Sequence, residues 1–82
     1  MILTDIYIPS IDEVFDFELD EQVQVKQVVR ELVEMIAKRT KSTSIGSESD
    51  FWLYDMTRKT ALREDAVLSA CGVANGDRLM LI

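Results

Sequence analysis

The sequence predicts an α+β fold, several strands packed with one helix. Three observations predict it. Near the start, two short segments alternate apolar and polar residues, which is the period of a half-buried strand. A longer segment then shifts to apolar spacings of three and four, the period of an amphipathic helix. The chain closes on a turn signal, Asn75-Gly76-Asp77, followed by another alternating run.

The first strand is expected over Leu3–Ile8. Thr4, Ile6 and Ile8 fall on one face and Leu3, Asp5 and Tyr7 on the other. Pro9-Ser10-Ile11-Asp12 reads as a turn. Val14–Leu19 is the clearest strand, because Phe15, Phe17 and Leu19 alternate with Asp16 and Glu18. Two strands joined by a short polar turn suggest a hairpin.

The helix is expected from about Val25 to Arg39. Val25, Val28, Val29, Leu32, Met35 and Ile36 form its apolar stripe, and Lys26, Gln27, Arg30, Glu31, Glu34 and Lys38 its other faces. Two residues compete to cap its start. Asp20 is the better capping type, whereas Gln24 fits if Val23 and Val28 staple the first turn. Lys38, Arg39 and Lys41 suit the negative pole of the helix dipole.

Thr40–Asp50 (TKSTSIGSESD) is polar and serine-rich and reads as a mobile loop. Phe51–Met56 is an aromatic and apolar third strand. Thr57-Arg58-Lys59 turns the chain into Thr60-Ala61-Leu62, a short extended piece. Asp65–Cys71 looks like a helical turn closed by Gly72 at its C-cap. Arg78–Ile82 is the last strand, with Leu79 and Leu81 on one face.

Composition narrows the function classes. With 82 residues, the chain is expected to form one domain, 1–82, with one core. Hydrophobic content of 48% favours folding over disorder. No stretch approaches the ~20 apolar residues of a membrane span, so membrane insertion is not expected. The N-terminus lacks a basic region and breaks at Pro9, unlike a signal peptide. A lone cysteine, Cys71, forms no internal disulfide and favours a reducing cytoplasm. The net charge of −6 repels phosphate backbones, which argues against nucleic acid and anionic membrane surfaces as partners.

Chemistry-bearing clusters are sparse. Cys71 has no histidine anywhere in the chain to activate it, so it reads as a small core or turn residue. The same composition removes the ordinary zinc sites. Asp12-Glu13, Asp20-Glu21 and Glu64-Asp65 lack the spacing of a calcium loop and read as solvated surface. No catalytic residue, cofactor or metal is expected, and the chain reads as a binding module and not an enzyme.

The element order, a hairpin followed by a helix that crosses the sheet and then the remaining strands, resembles the β-grasp plan of ubiquitin. Val67–Ile82 (VLSACGVANGDRLMLI) looks like the closing segment of ubiquitin-like domains, with Leu68, Gly72-Val73, Gly76-Asp77, Leu79 and Leu81 in their expected order. Cys71-Gly72 before the turn, Trp52 opening the third strand and the abrupt end together resemble the EsaB/YukD family. These are small cytoplasmic ubiquitin-like accessory proteins of the type VII secretion system of Gram-positive bacteria. The resemblance covers the whole chain in element order and is specific in its C-terminal third. It departs in the long, serine-rich Thr40–Asp50 loop. It implies a regulatory role and protein partners among the membrane-anchored secretion components, including the ATPase.

The ubiquitin plan sets the first, last and third strands side by side, with the first and last parallel in the centre. If Leu53 points inward, Trp52 and Tyr54 look outward, and Leu79 and Leu81 pointing inward leave Met80 and Ile82 outward. The partner-binding surface is then an outer patch of Trp52, Tyr54, Met80, Tyr7 and Ile82, residue types enriched at interface cores. In the opposite arrangement Trp52 turns inward as a core aromatic and the patch shrinks. Ubiquitin and the sulfur carriers of the same fold act through a Gly-Gly tail, whereas this chain ends Met80-Leu81-Ile82, so conjugation is not expected. Two alternatives are a sulfur-carrier or modifier whose chain is truncated here, and an excised ubiquitin-like domain of a larger membrane secretion component.

Overall fold

The structure, a computed structural model, describes residues 1–39 and 51–82. The expected Thr40–Asp50 loop, with Lys41, lies outside the described residues. Strand β1 spans Ile2–Ile8, β2 Glu13–Leu19, helix α1 Val25–Arg39, β3 Leu53–Asp55, β4 Thr60–Ala61 and β5 Arg78–Leu81. The strands form one five-stranded sheet in the order β2-β1-β5-β3-β4. β1 and β5 are parallel neighbours at its centre, and the other neighbours are antiparallel.

The hairpin closes as its turn residues dictate. Ile11 N donates to Ile8 O and Asp12 N to Pro9 O, and Asp12 takes the left-handed conformation that short Asx side chains tolerate (φ 51°). All seven residues of β1 then pair with β2, from Ile2 opposite Leu19 to Ile8 opposite Glu13. This register sends Thr4, Ile6, Ile8, Phe17 and Leu19 inward, where they are buried.

The helix covers that face with Val25, Val28, Val29, Leu32, Val33 and Ile36. One assignment within the stripe is corrected. Met35, expected among the apolar positions, is 40% exposed, and Val33 takes its place in the core at 7%. A helix on a sheet buries a broad stripe, and Val33 follows Val29 by four residues, so it stays on that stripe. Neither Asp20 nor Gln24 caps the helix with its side chain. Asp20 Oδ1 accepts from Gln22 N in the preceding turn at 2.9 Å. The first helical N–H groups instead donate to carbonyls of the distant 64–66 segment, Val25 N to Ala66 O at 2.8 Å and Lys26 N to Glu64 O at 3.0 Å. At the other end, the Arg39 guanidinium lies over the rings of Phe15 and Phe17, 5.5 and 4.9 Å from their centroids.

β3 is shorter than the expected Phe51–Met56, but its pairing with β5 continues beyond both ends. Ile82 N donates to Trp52 O at 2.9 Å, and Met56 N donates to Arg78 O at 2.9 Å. The expected helical turn over Asp65–Cys71 narrows to a 3-10 helix at Leu68–Cys71. Val67 is instead drawn into a bridge with Gln24. Gly72 ends this helix at φ 78°, as a C-cap glycine does. Leu68 and Val73 on either side are buried, and Cys71 is half-buried against the core.

Leu79 and Leu81 on β5 are fully buried beneath the helix, flanked by Ile6 and Ile8 on β1 and by Leu53 on β3. The Asn75-Gly76-Asp77 turn does more than reverse the chain. Asn75 Oδ1 accepts from Leu3 N at 2.8 Å, Gly76 N donates to Leu3 O at 2.8 Å, and Asp5 N donates to Asp77 O at 3.1 Å. The turn thus docks the start of β5 onto β1 and sets their parallel register.

Candidate interaction surface

The face of the sheet opposite the helix is the candidate site. Side chains alternate across a strand, so the outward set is fixed by the inward one. With Leu53, Leu79, Leu81, Ile6 and Ile8 inside, Trp52, Tyr54, Met80, Ile82 and Tyr7 all fall on the outer face. Register joins them into rows. Tyr7 is opposite Met80, and Met80 is opposite Tyr54. The row extends to Val14 on β2 and to Ala61 on β4, so it crosses all five strands. Trp52 and Ile82 form the adjacent pair through their backbone hydrogen bond.

The exposures follow from position. Tyr7, Tyr54 and Met80, in the middle of the sheet, are half-buried by neighbouring side chains on their own face. Trp52 is 56% and Ile82 47% exposed at the sheet's end. Three further apolar side chains join this face: Leu3 at 48%, Val14 at 59% and Met56 at 38% exposed. Val14 and Met56 were missed in the sequence. The alternation that places Phe15 and Phe17 inward already puts Val14 outward, and Met56 lies two residues beyond Tyr54.

A second row crosses the face beside the first. Asp16 on β2 is opposite Asp5 on β1, and Asp5 is opposite Arg78 on β5. The hydrogen bond and the charge of Asp5 push the Asp16 carboxyl above its ordinary value. Arg78 Nε lies 4.0 Å from Asp5 Oδ2, and both side chains are well exposed, so this pair contributes little. Between the rows runs a groove of about 180 Å³, lined by Asp5, Tyr7, Val14, Met56, Arg78 and Leu79. At its edge the Tyr7 hydroxyl donates to Asp12 Oδ1 at 3.0 Å, and this bond raises the phenol's pKa.

A polar knot under the β3–β4 turn holds this face in place. Asp55 is fully buried on the inner side of β3. Its Oδ1 accepts from Thr57 N at 3.0 Å and Arg58 N at 3.1 Å, and its Oδ2 from Arg58 Nη1 at 3.1 Å. The same Nη1 donates to Asp77 Oδ2 at 2.6 Å, and that oxygen accepts from Ala74 N at 2.9 Å. The Ala74 amide, and then Arg58, hold the Asp77 carboxyl below its ordinary value. Arg78 N donates to Thr57 Oγ1 at 3.0 Å. A Cβ on Gly72 would sit 3.2 Å from Arg58 Nε, so glycine there also leaves room for the guanidinium. The knot ties the turn after β3 to the turn before β5, and so sets the register that puts Tyr54 beside Met80.

No helix among the described residues is long and apolar enough to cross a membrane. Among these residues there is also no group of three or more His, Cys, Asp or Glu side chains that could hold a metal ion.

Comparison with known proteins agrees with the fold. The family model for protein YukD of the WXG100 protein secretion system matches residues 4–81. None of the curated proteins matches the chain. Among solved structures, the N-terminal ubiquitin-like domain of the 4931431F19Rik protein superposes with a TM-score of 0.72 at 18% identity, covering 99% of this chain and 72% of that one. A ubiquitin-like domain from Arabidopsis thaliana gives 0.69 at 15% identity, covering 99% and 74%. The ubiquitin of Caldiarchaeum subterraneum gives 0.70 at 20% identity, covering 99% and 90%. These likenesses establish the ubiquitin-like β-grasp fold.

Proposed function

The chain belongs to the YukD family of the WXG100, or type VII, protein secretion system, and from that premise we propose that it is a non-catalytic binding module acting as an accessory or regulatory part of the secretion machine. Its partners are the machine's membrane-anchored components, including the ATPase, and it meets them on their cytoplasmic side. Residues 1–82 act as one ubiquitin-like domain.

One observation carries this reading: an unbroken apolar row, Val14-Tyr7-Met80-Tyr54-Ala61, crosses the sheet on the side the helix leaves uncovered. Trp52 and Ile82 enlarge it at one end, and Leu3 and Met56 lie on the same face. Folding does not require large aromatics on a surface facing water, and contiguous patches of this kind mark interaction sites. Tyr, Trp and Met are the side chains that interface cores concentrate. Catalysis has no comparable support, because the chain contains no histidine and its single thiol packs against the core.

The test is calorimetric titration of the purified protein against the purified cytoplasmic portions of the membrane components. Tyr54→Glu and Met80→Glu are each expected to stay folded and to weaken binding by about 2 kcal/mol or more. Variants that remain folded and bind like the wild type would move the interface elsewhere.

A further inference from the structure

We propose that the partner seated on this face presents a lysine or arginine to the Asp5–Asp16 carboxylate pair, with the apolar stem of that side chain lying in the groove walled by Tyr7, Val14 and Met56. The inference rests on the outer-face reading and adds the chemistry of what the face receives.

The carboxylate pair has no folding rationale. Asp5 and Asp16 are direct cross-strand neighbours on the outer face. Like charges at such positions repel and destabilise the sheet. Among the described residues, Arg78 reaches Asp5 at 4.0 Å, and no cation lies within ion-pair distance of Asp16. Glu18, opposite Leu3, adds a third carboxylate on the same side of the same two strands. This half of the face thus carries Asp5, Asp16 and Glu18 against Arg78. The hydrogen bond with Asp5, and then its charge, raise the Asp16 carboxyl above its ordinary value, as expected of two carboxyl groups held side by side.

The groove turns this surplus into a shaped site. Asp5 and Arg78 line it together with the apolar Tyr7, Val14, Met56 and Leu79, and Asp16 adjoins it as the cross-strand neighbour of Asp5. A lysine or arginine fits both parts, because its methylene stem packs on apolar surface while its charged end stays polar. An arginine guanidinium could bridge the two carboxylates through its fork of donors. A second copy of this chain is the poorer occupant, since each copy carries a net charge of −6 and the same acidic half-face. A basic partner is instead drawn in by the long-range field.

The experiment titrates the purified cytoplasmic portions of the secretion machine's membrane components into the wild type, Asp16→Asn, Asp5→Asn/Asp16→Asn and Tyr54→Glu, at low and at high salt. Melting curves accompany each variant. The double variant is expected to bind about tenfold more weakly at low salt, to show a flatter salt dependence and to melt at a higher temperature than the wild type. Lost affinity together with gained stability is a combination that a purely structural role does not produce. If the double variant binds with wild-type affinity and salt slope while Tyr54→Glu abolishes binding, the basic side chain is refuted and the outer face stands. If Tyr54→Glu also binds normally, or if no component binds the wild type, the outer-face reading falls and this inference with it. Concentration-dependent dimers in light scattering that Tyr54→Glu dissolves would assign the face to a second copy and overturn the proposal.

Discussion

Beneath the helix, the central strands present Ile6, Ile8, Leu53, Leu79 and Leu81, each at most 1% exposed. One residue along the same strands, on the other side, stand Tyr7, Tyr54 and Met80, with Asp5, Asp16 and Arg78 beside them. The inner face also holds polar groups, but each is answered from within the fold. Thr4 Oγ1 donates to Phe17 O, and Asp55 accepts hydrogen bonds from two backbone amides and Arg58. The outer face leaves two carboxylates opposed and a row of large apolar side chains partly in water. One face is complete by itself, whereas the other is the face proposed to receive a partner. Under the proposed function, stability and binding reside on alternate residues of the same strands, and substitutions one position apart should separate them.

The largest effect is expected where that separation is tested hardest. Leu81→Ala removes a fully buried side chain from the central strand and should cost about 2–5 kcal/mol. A chemical-melt midpoint near the wild type would mean that the inner face does not depend on β5. Asp55→Ala leaves two turn amides and Arg58 without their acceptor. A loss of about 2–3 kcal/mol is expected, from unmet hydrogen bonds rather than lost apolar packing. Asp55→Asn should recover part of it, since a carboxamide oxygen still accepts from the amides.

Tyr54→Glu, next to both Leu53 and Asp55, should cost about 1 kcal/mol of stability, less than either inner-face change, because the half-buried side chain lies outside the core. Unfolding by this variant would break the contrast between the faces. The smallest effect is a gain. The folded state holds the Asp16 proton more tightly than the unfolded chain does, so stability from this group is present at low pH and is lost as pH rises through the folded pKa. Asp16→Asn should therefore raise the melting temperature at neutral pH, and the gain should vanish in acid, where the native carboxyl is also neutral. A gain that is equal at both pH values would show that the like-charge pair is not its cause.

How much could be read in the sequence differs between these faces. Most of the inner face follows from period, because apolar residues at alternate or helical spacing have one stable place, away from water. The third strand is apolar on both faces, and packing decided that Leu53 goes in and Trp52 out. The helix boundaries came out as the periodicity predicts, Val25–Arg39. Met35 and Val33 exchanged roles because both lie near the edge of the stripe, and only the width of the covered sheet separates them. The five predicted patch residues share a face because strand alternation carries them there once the inward set is known. Asp5 and Asp16 could not be paired in advance, since they lie in different strands and only the hairpin register makes them neighbours. The polar knot was equally hidden. Its turn sequence, Asp55-Met56-Thr57-Arg58, suggests an Asx turn, but its link to Asp77 spans 19 residues.

By itself the sequence determined the element order, the helix, the inward face of every long strand and the turn that precedes the last one. These depend on the local period of hydrophobicity and on backbone preferences, which neighbouring residues encode. Tertiary structure alone decided which strands became neighbours and in what register. It therefore decided that Val14, Tyr7, Met80, Tyr54 and Ala61 form one row, that two aspartates face each other beside a groove, and that the first amides of the helix are met by carbonyls of the 64–66 segment. Contacts between distant segments are set by how the whole chain closes around its core, and no local pattern carries that information.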